Sequence, residues 1–249
     1  MAVSLVSLTI QYAGSPVISR LLQKLVIKNH GKPVYSRVNK NKGPAVLKEL
    51  HLLESLQSPE RREIDGVPWC ESGRYLVFWP VRDSAEVDFA WMMRLAQQKG
   101  RQAAIRVHPE LQELDRRLEL AAWQRGEDGL VMSGEATASP LDPHLGMSWE
   151  TGKLSLWLGS EVDWWSRCDL YFSDRGAALF NLETDHAKQR RGYARRLLRC
   201  AQNELLKRGE SRLILKVGSE NHPAVNLYRD FGLTEKGRYW FRMGPRIEK

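Results

Sequence analysis

The sequence predicts an α/β chain, a mixed central sheet flanked by helices, in two similar lobes. Three observations carry this. The order strand, helix, strand, helix, strand occurs twice along the chain. Apolar runs of strand length alternate with segments of helical periodicity, punctuated by glycine and proline. The composition, 42% hydrophobic and 27% charged over 249 residues, is globular. A chain of this length builds a core without disulfides or metal, and the composition excludes a collagen, a disordered tail and a coiled-coil rod.

In the first lobe, the opening MAVSLVSLTIQYAG reads as a strand rather than a signal peptide, because no basic segment precedes its apolar residues. Asn39 to Pro44 reads as a polar turn. Tyr75 to Trp79 is a strand-length aromatic run. Asp83 and Glu86 form a capping box for a helix running to about Gln98, with Val87, Trp91, Arg94 and Leu95 on one face. Lys99-Gly100 ends it. Gln102 to Val107 is a strand. Pro109 opens a helix carrying Leu111, Leu114, Leu118 and Ala122, and Leu130 to Met132 begins another strand.

The last third repeats the order. Ala177 to Thr184 is a strand, and Gly192 to Lys207 is a helix with Ala194, Leu197, Leu198, Ala201 and Leu205 on one stripe. Leu213 to Val217 is a strand, Pro223 opens a helix with Ala224, Leu227, Tyr228 and Phe231, and Arg238 to Phe241 is the final strand. Gln102 and Arg212 begin corresponding strands 110 residues apart. Either one βαβαβ unit is present twice or a common order has recurred. Leu154 to Leu158 and Leu170 to Phe172 are strands in between, with little room for helices. Pro140, Pro143 and Gly146 mark the junction, giving lobes of residues 1–138 and 139–249.

The net charge is +8, which favours a polyanionic partner. Eight lysines and arginines stand against three glutamates in the first 60 residues, either a polyanion-binding arm or a solvated surface. Three cysteines without CxxC spacing speak against a disulfide framework or zinc finger and for the cytoplasm. No apolar run reaches membrane-spanning length, so no membrane partner is expected.

The chemistry concentrates in Gln189-Arg190-Arg191-Gly192-Tyr193-Ala194, between a strand and a helix. Gly192 permits close backbone approach, and the first amides of the helix present free donors and positive dipole. This is a pyrophosphate cradle, although neither GxxxxGK[ST] nor GxGxxG is present.

The segment resembles the [RQ]xxGx[GA] signature of the GNAT family of acyl-CoA-dependent N-acyltransferases. Downstream, Asn221-His222-Pro223-Ala224-Val225-Asn226-Leu227-Tyr228, closing on Gly232-Leu233, is similar to that family's second motif. The match covers Leu170 to Met243, and Tyr75 to Gly134 resembles a degenerate copy, as in tandem GNAT proteins. Pro80 to Val87 of that copy holds no glycine, so one cofactor site is expected.

The resemblance implies a GNAT fold and roles for particular residues. Amides of Arg190, Arg191, Gly192, Tyr193 and Ala194, with Gln189 opening the turn, hold the acetyl-CoA pyrophosphate. Leu182 and Thr184 pair with the pantetheine arm, and Asn221 hydrogen-bonds it. Tyr228 protonates the leaving thiolate, unless it is a core tyrosine. Glu183 is the first candidate base, with Asp185 and His186 nearby, unless it faces solvent or an arginine. No metal is implied.

The acceptor is an amine on a small molecule or a protein, with a nucleic acid or nucleobase amine as the alternative. Trp164-Trp165, placed in a loop, either stack on a flat acceptor or pack between lobes. A non-catalytic acyl-CoA-binding module is the rival reading, and a homodimer is left open.

Overall fold

The computed structural model describes residues 62–64, 67–80, 87–173 and 176–246. The basic first 60 residues, the 39–44 turn and the Asp83/Glu86 box lie outside them. Among the described residues, eleven strands form one sheet in the order β1-β2-β3-β4-β11-β5-β10-β9-β8-β7-β6. They are β1 (Arg62–Ile64), β2 (Val67–Ser72), β3 (Tyr75–Phe78), β4 (Gln102–Val107), β5 (Gln124–Glu135), β6 (Leu145–Glu150), β7 (Lys153–Gly159), β8 (Trp164–Ser173), β9 (Gly176–Thr184), β10 (Arg212–Gly218) and β11 (Thr234–Met243).

Four described helices, α1 (Phe89–Gln98), α2 (Gln112–Leu120), α3 (Tyr193–Lys207) and α4 (His222–Asp230), lie on one face. Strand alternation explains this face. Leu154, Leu156 and Leu158 of β7, Ala177 and Leu179 of β9, and Leu213 and Leu215 of β10 meet Leu197, Leu198, Ala201 and Val225 of α3 and α4. Their neighbours Ala178, Phe180 and Ile214 point to the opposite face.

The helices follow the sequence with local corrections. Helix α1 begins at Phe89, and Asp88 caps it by accepting from the Trp91 amide at 3.0 Å. Its buried positions are Met92 and Ala96, whereas Arg94 is exposed. Ala122 falls beyond α2, at φ +60°. Gly146 lies inside β6, against the Trp157 ring, while Pro140 and Pro143 occupy the connection before it.

The 110-residue spacing persists in the backbone. Leu111 N donates to His108 O as Asn221 N does to Gly218 O, and Trp123 N donates to Leu118 O as Leu233 N does to Tyr228 O. The last strand of each set crosses over: β5 lies beside β10, and β11 lies beside β4. Strands β5 and β11 pair with each other, in a register symmetric about the Gly129–Tyr239 pair. The sheet is therefore continuous across residues 138 and 139.

Candidate active site

Strands β9 and β10 run parallel but pair only at Ala177 to Leu179 with Leu213 to Leu215. Beyond Leu179 they part, and β9 continues to Thr184 along β8 alone. Ser166 Oγ donates to Glu183 O at 2.6 Å and Asp185 N donates to Trp165 O at 3.1 Å, so these groups face β8. By strand alternation, the amides and carbonyls of Leu182 and Thr184 face the gap. The Gln189 side chain reaches Thr184 O at 3.5 Å.

After a 3₁₀ turn at His186–Lys188, capped by Asp185, the chain reaches α3. Arg190 and Gly192 take positive φ of 60° and 79°. The first bond of the helix runs from Arg196 N to Gly192 O at 3.0 Å, so the amides before it lack intrahelical acceptors. A Cβ on Gly192 would meet nothing within 4 Å. These outward amides around open space fit a pyrophosphate, as the motif implies.

The surrounding cations divide into two groups. Lys188 pairs with Asp163, Arg195 with Asp230 at 2.6 Å, and Arg196 with Asp142 at 2.7 Å. The Arg196 guanidinium holds the Asp142 carboxyl below the usual range. Arg190 and Arg191 are exposed and have no ion pair among the described residues. Of the motif's side chains, these two therefore offer unneutralised charge.

Tyr193 packs on Trp165 at 5.0 Å between ring centroids, and Trp165 packs on His144 at 4.9 Å. Trp164 and Trp165 are the first residues of β8 rather than a loop. A register shift between the Leu158–Ser166 and Gly159–Trp164 pairs breaks the alternation at Trp165, so Trp165 packs on the helix face and Trp164 lies on the other, where Arg167 covers its ring at 4.4 Å. Asn221 caps α4, its Oδ1 accepting from Ala224 N at 3.3 Å, which leaves the amide nitrogen of its side chain free of that bond.

Tyr228 is buried on the helix face among Leu197, Val225 and Cys168. Burial, with the neighbouring Cys168, pushes its hydroxyl up to about 12. Glu183 lies on the opposite face. A bulge at Asn181 (φ +53°) inserts one residue into β9 and shifts the alternation. There Glu183 accepts from Arg167 Nη2 at 3.0 Å, in a groove of about 420 Å³ spanning β6 to β9. No described helix covers this groove. Tyr193 and the buried Tyr228 thus lie with the helices, whereas Glu183 lines an open groove on the other face. The groove rests on β6, where Leu145, Met147 and Trp149 alternate with Gly146, Ser148 and Glu150; this alternation is the signal for the strand, passed over when Gly146 is taken as a junction.

The Acetyltransferase (GNAT) family model matches residues 109–233, half of the chain. The ribosomal protein bS18-alanine N-acetyltransferase of Haemophilus ducreyi is 44% identical over 59 residues, 24% of this chain and 41% of that protein. The enzyme of the same name from Escherichia coli K12 is 42% identical over 59 residues, 24% of this chain and 40% of that one. The chain thus spans about two fifths of the length of the curated relatives it matches.

Among solved structures, a GCN5-related N-acetyltransferase from Kribbella flavida superposes with TM-score 0.60 at 11% identity, over 83% of this chain and 98% of that one. A tandem GNAT protein from the clavulanic acid biosynthesis pathway gives TM-score 0.53 at 8% identity, over 73% and 79%. These likenesses concern the fold. No described helix is long and apolar enough to cross a membrane. With the Gly192 turn, the open edge of β9 and Tyr228 all inside the matched stretch, the chain belongs to the acetyltransferase (GNAT) family.

Proposed function

We propose that the protein is an N-acetyltransferase that moves an acetyl group from acetyl-CoA to an amine by direct attack in a ternary complex. The observation that carries this is the parting of β9 from β10 beyond Leu179, on the strand that bears Glu183 and leads through Thr184 into the Gly192 turn. When bound, acetyl-CoA supplies an activated thioester. Amides of residues 190 to 194 hold its pyrophosphate, with Arg190 and Arg191 adding charge. The edge of Leu182 and Thr184, with Asn221, orients its arm. These contacts supply proximity. Tyr228 holds a proton at Oη for the departing thiolate, and Glu183 takes the proton of the attacking amine from the groove side. The carbonyl oxygen needs a donor as its charge develops.

In this reading the first half is a degenerate copy of the second. Leu111 and Leu118 stand 110 residues before Asn221 and Tyr228 and are buried apolar residues. The reading therefore assigns one cofactor site, in the C-terminal half. Three buried free cysteines fit the cytoplasm. The test follows thiol release from acetyl-CoA with a panel of amines, peptides and nucleic acids. Turnover with an amine is expected. Gly192→Glu should abolish acetyl-CoA binding, because a carboxylate would fill the cradle. Unchanged affinity in that variant would refute the site.

A further inference from the structure

The open face of β6 to β9 forms a grid whose rows follow from the register. One row runs Glu183, Arg167, Trp157, Gly146, and the next runs from Asn181 through Asp169 and Ser155 to Ser148. Within this groove most charges cancel. Glu183 pairs with Arg167 at 3.0 Å, and Glu150 with Lys153 at 3.0 Å.

Asp169 differs. Ser155 Oγ donates to its Oδ1 at 2.7 Å and Asn181 Nδ2 to its Oδ2 at 2.9 Å. Both oxygens are oriented by neutral groups, and no cation lies within ion-pairing distance among the described residues. Its charge still reaches its surroundings, helping to raise the Lys153 ammonium after the hydrogen bond to Glu150, and the Tyr171 hydroxyl after burial. Glu161 at the groove's edge has no ion pair among the described residues either. The groove is thus left with net negative charge in a protein of net charge +8.

Resting on the acetyltransferase reading, we infer that this groove takes an acceptor with a second positive charge beyond the reacting amine, held by Asp169. The spacing supports a second charge rather than the reacting one. Asp169 is two residues along β8 from Arg167, the partner of Glu183, or about 7 Å toward the closed end of the gap, opposite Phe180. An amine whose nitrogen lies at the gap, beside Glu183, places a cation one short chain away against Asp169. The same chemistry belongs to a free diamine and to a peptide N-terminus followed by a basic side chain. A nucleobase amine, which brings phosphates, is disfavoured by this charge.

The experiment compares diaminobutane with butylamine, and alanyl-lysine amide with alanyl-glutamine amide, by kcat/KM in the wild type and in Asp169→Asn. The dicationic member of at least one pair should be preferred by about tenfold, mainly through KM, and Asp169→Asn should collapse that ratio. The pair that shows the effect identifies the source. Equal rates within both pairs, or a preference that survives Asp169→Asn, would overturn the inference. Calorimetric titration of the same amines into the protein with CoA present reads the site without turnover. Dication binding weakened about tenfold by Asp169→Asn upholds the groove even if the acetyltransferase reading fails. Equal binding of dication and monoamine overturns it.

Discussion

The Tyr239 ring occupies the place where a side chain on Gly129 would stand: a Cβ there would lie 2.2 Å from Tyr239 Cζ. The two residues are direct partners across β5 and β11, at the centre of symmetry of that pairing. Tyr239 is buried, meets Phe241 edge-on at 5.8 Å and lies under the Arg106 guanidinium at 5.3 Å, so its ring has little room to retreat. Gly129→Ala is expected to destabilise the protein by about 2 kcal/mol, through overpacking at the crossing of the two halves. Gly218→Ala, whose Cβ meets open space, is the control and should change stability by less than about 0.5 kcal/mol. Denaturant midpoints decide between them.

That crossing marks the limit of what the sequence discloses. The 110-residue spacing is legible because turns, caps and apolar stripes recur with it. The exchange of β5 and β11 is not, because alternation says which face a residue takes and not which strand lies beside it. At the site, the Gly192 turn is legible through its need for positive φ. The face of Glu183 is not. Counting in twos from Leu179 puts Glu183 on the helix face, and the bulge at Asn181 moves it to the groove. The doublet Trp164-Trp165 reads as a loop beside Asp163, whereas cross-strand pairing with Gly159 and Thr184 makes its neighbourhood strand.

Asp115 of α2 ties the first half to the last strand. It accepts from Arg242 Nε at 2.7 Å and Trp240 Nε1 at 2.8 Å, and Arg242 is almost fully buried. Burial alone would raise the Asp115 carboxyl, but the bonds from Arg242 and Trp240 outweigh it and hold it below the usual range. Its folded value lies below the unfolded value of about 4, so the contribution is present above that pH and lost as pH falls through the lowered value. Asp115→Asn should cost about 3 kcal/mol at neutral pH, because Arg242 is left buried with only the exposed Glu119, at 3.7 Å, as counter-charge. The deficit relative to wild type should shrink in acid, as followed by denaturant unfolding from pH 7 to 3.

Tyr228 carries the opposite dependence. Its hydroxyl stays protonated up to about pH 12 in the folded protein, against about 10 unfolded. The contribution to stability is complete below pH 10 and falls as pH rises toward 12. Tyr228→Phe should therefore lose less stability than the wild type over that interval. At neutral pH the variant should retain acetyl-CoA affinity while kcat falls by about 100-fold, the loss of a general acid. Unchanged kcat would return Tyr228 to the core as packing alone.

The two tryptophans at the start of β8 stand on opposite faces of the sheet, so in the proposed reaction Trp165 serves the cofactor side and Trp164 the acceptor side. Trp165 stands on the helix face between His144 and Tyr193, with Arg196 over its ring at 5.9 Å. Removing it undercuts the first turn of α3. Trp164 stands on the groove face, where its ring and Glu183 hold Arg167 from two sides. Trp165→Ala should cost about 2 kcal/mol in stability and raise KM for acetyl-CoA, because a large ring leaves a partly collapsed gap beside the cradle. Trp164→Ala should leave acetyl-CoA affinity at the wild-type value and raise KM for the amine, since Arg167 loses its stacking partner and no longer orients Glu183. Initial-rate kinetics with each substrate varied in turn read both effects. The same KM change in the two variants would mean that one face serves both substrates, against the division of roles across the sheet.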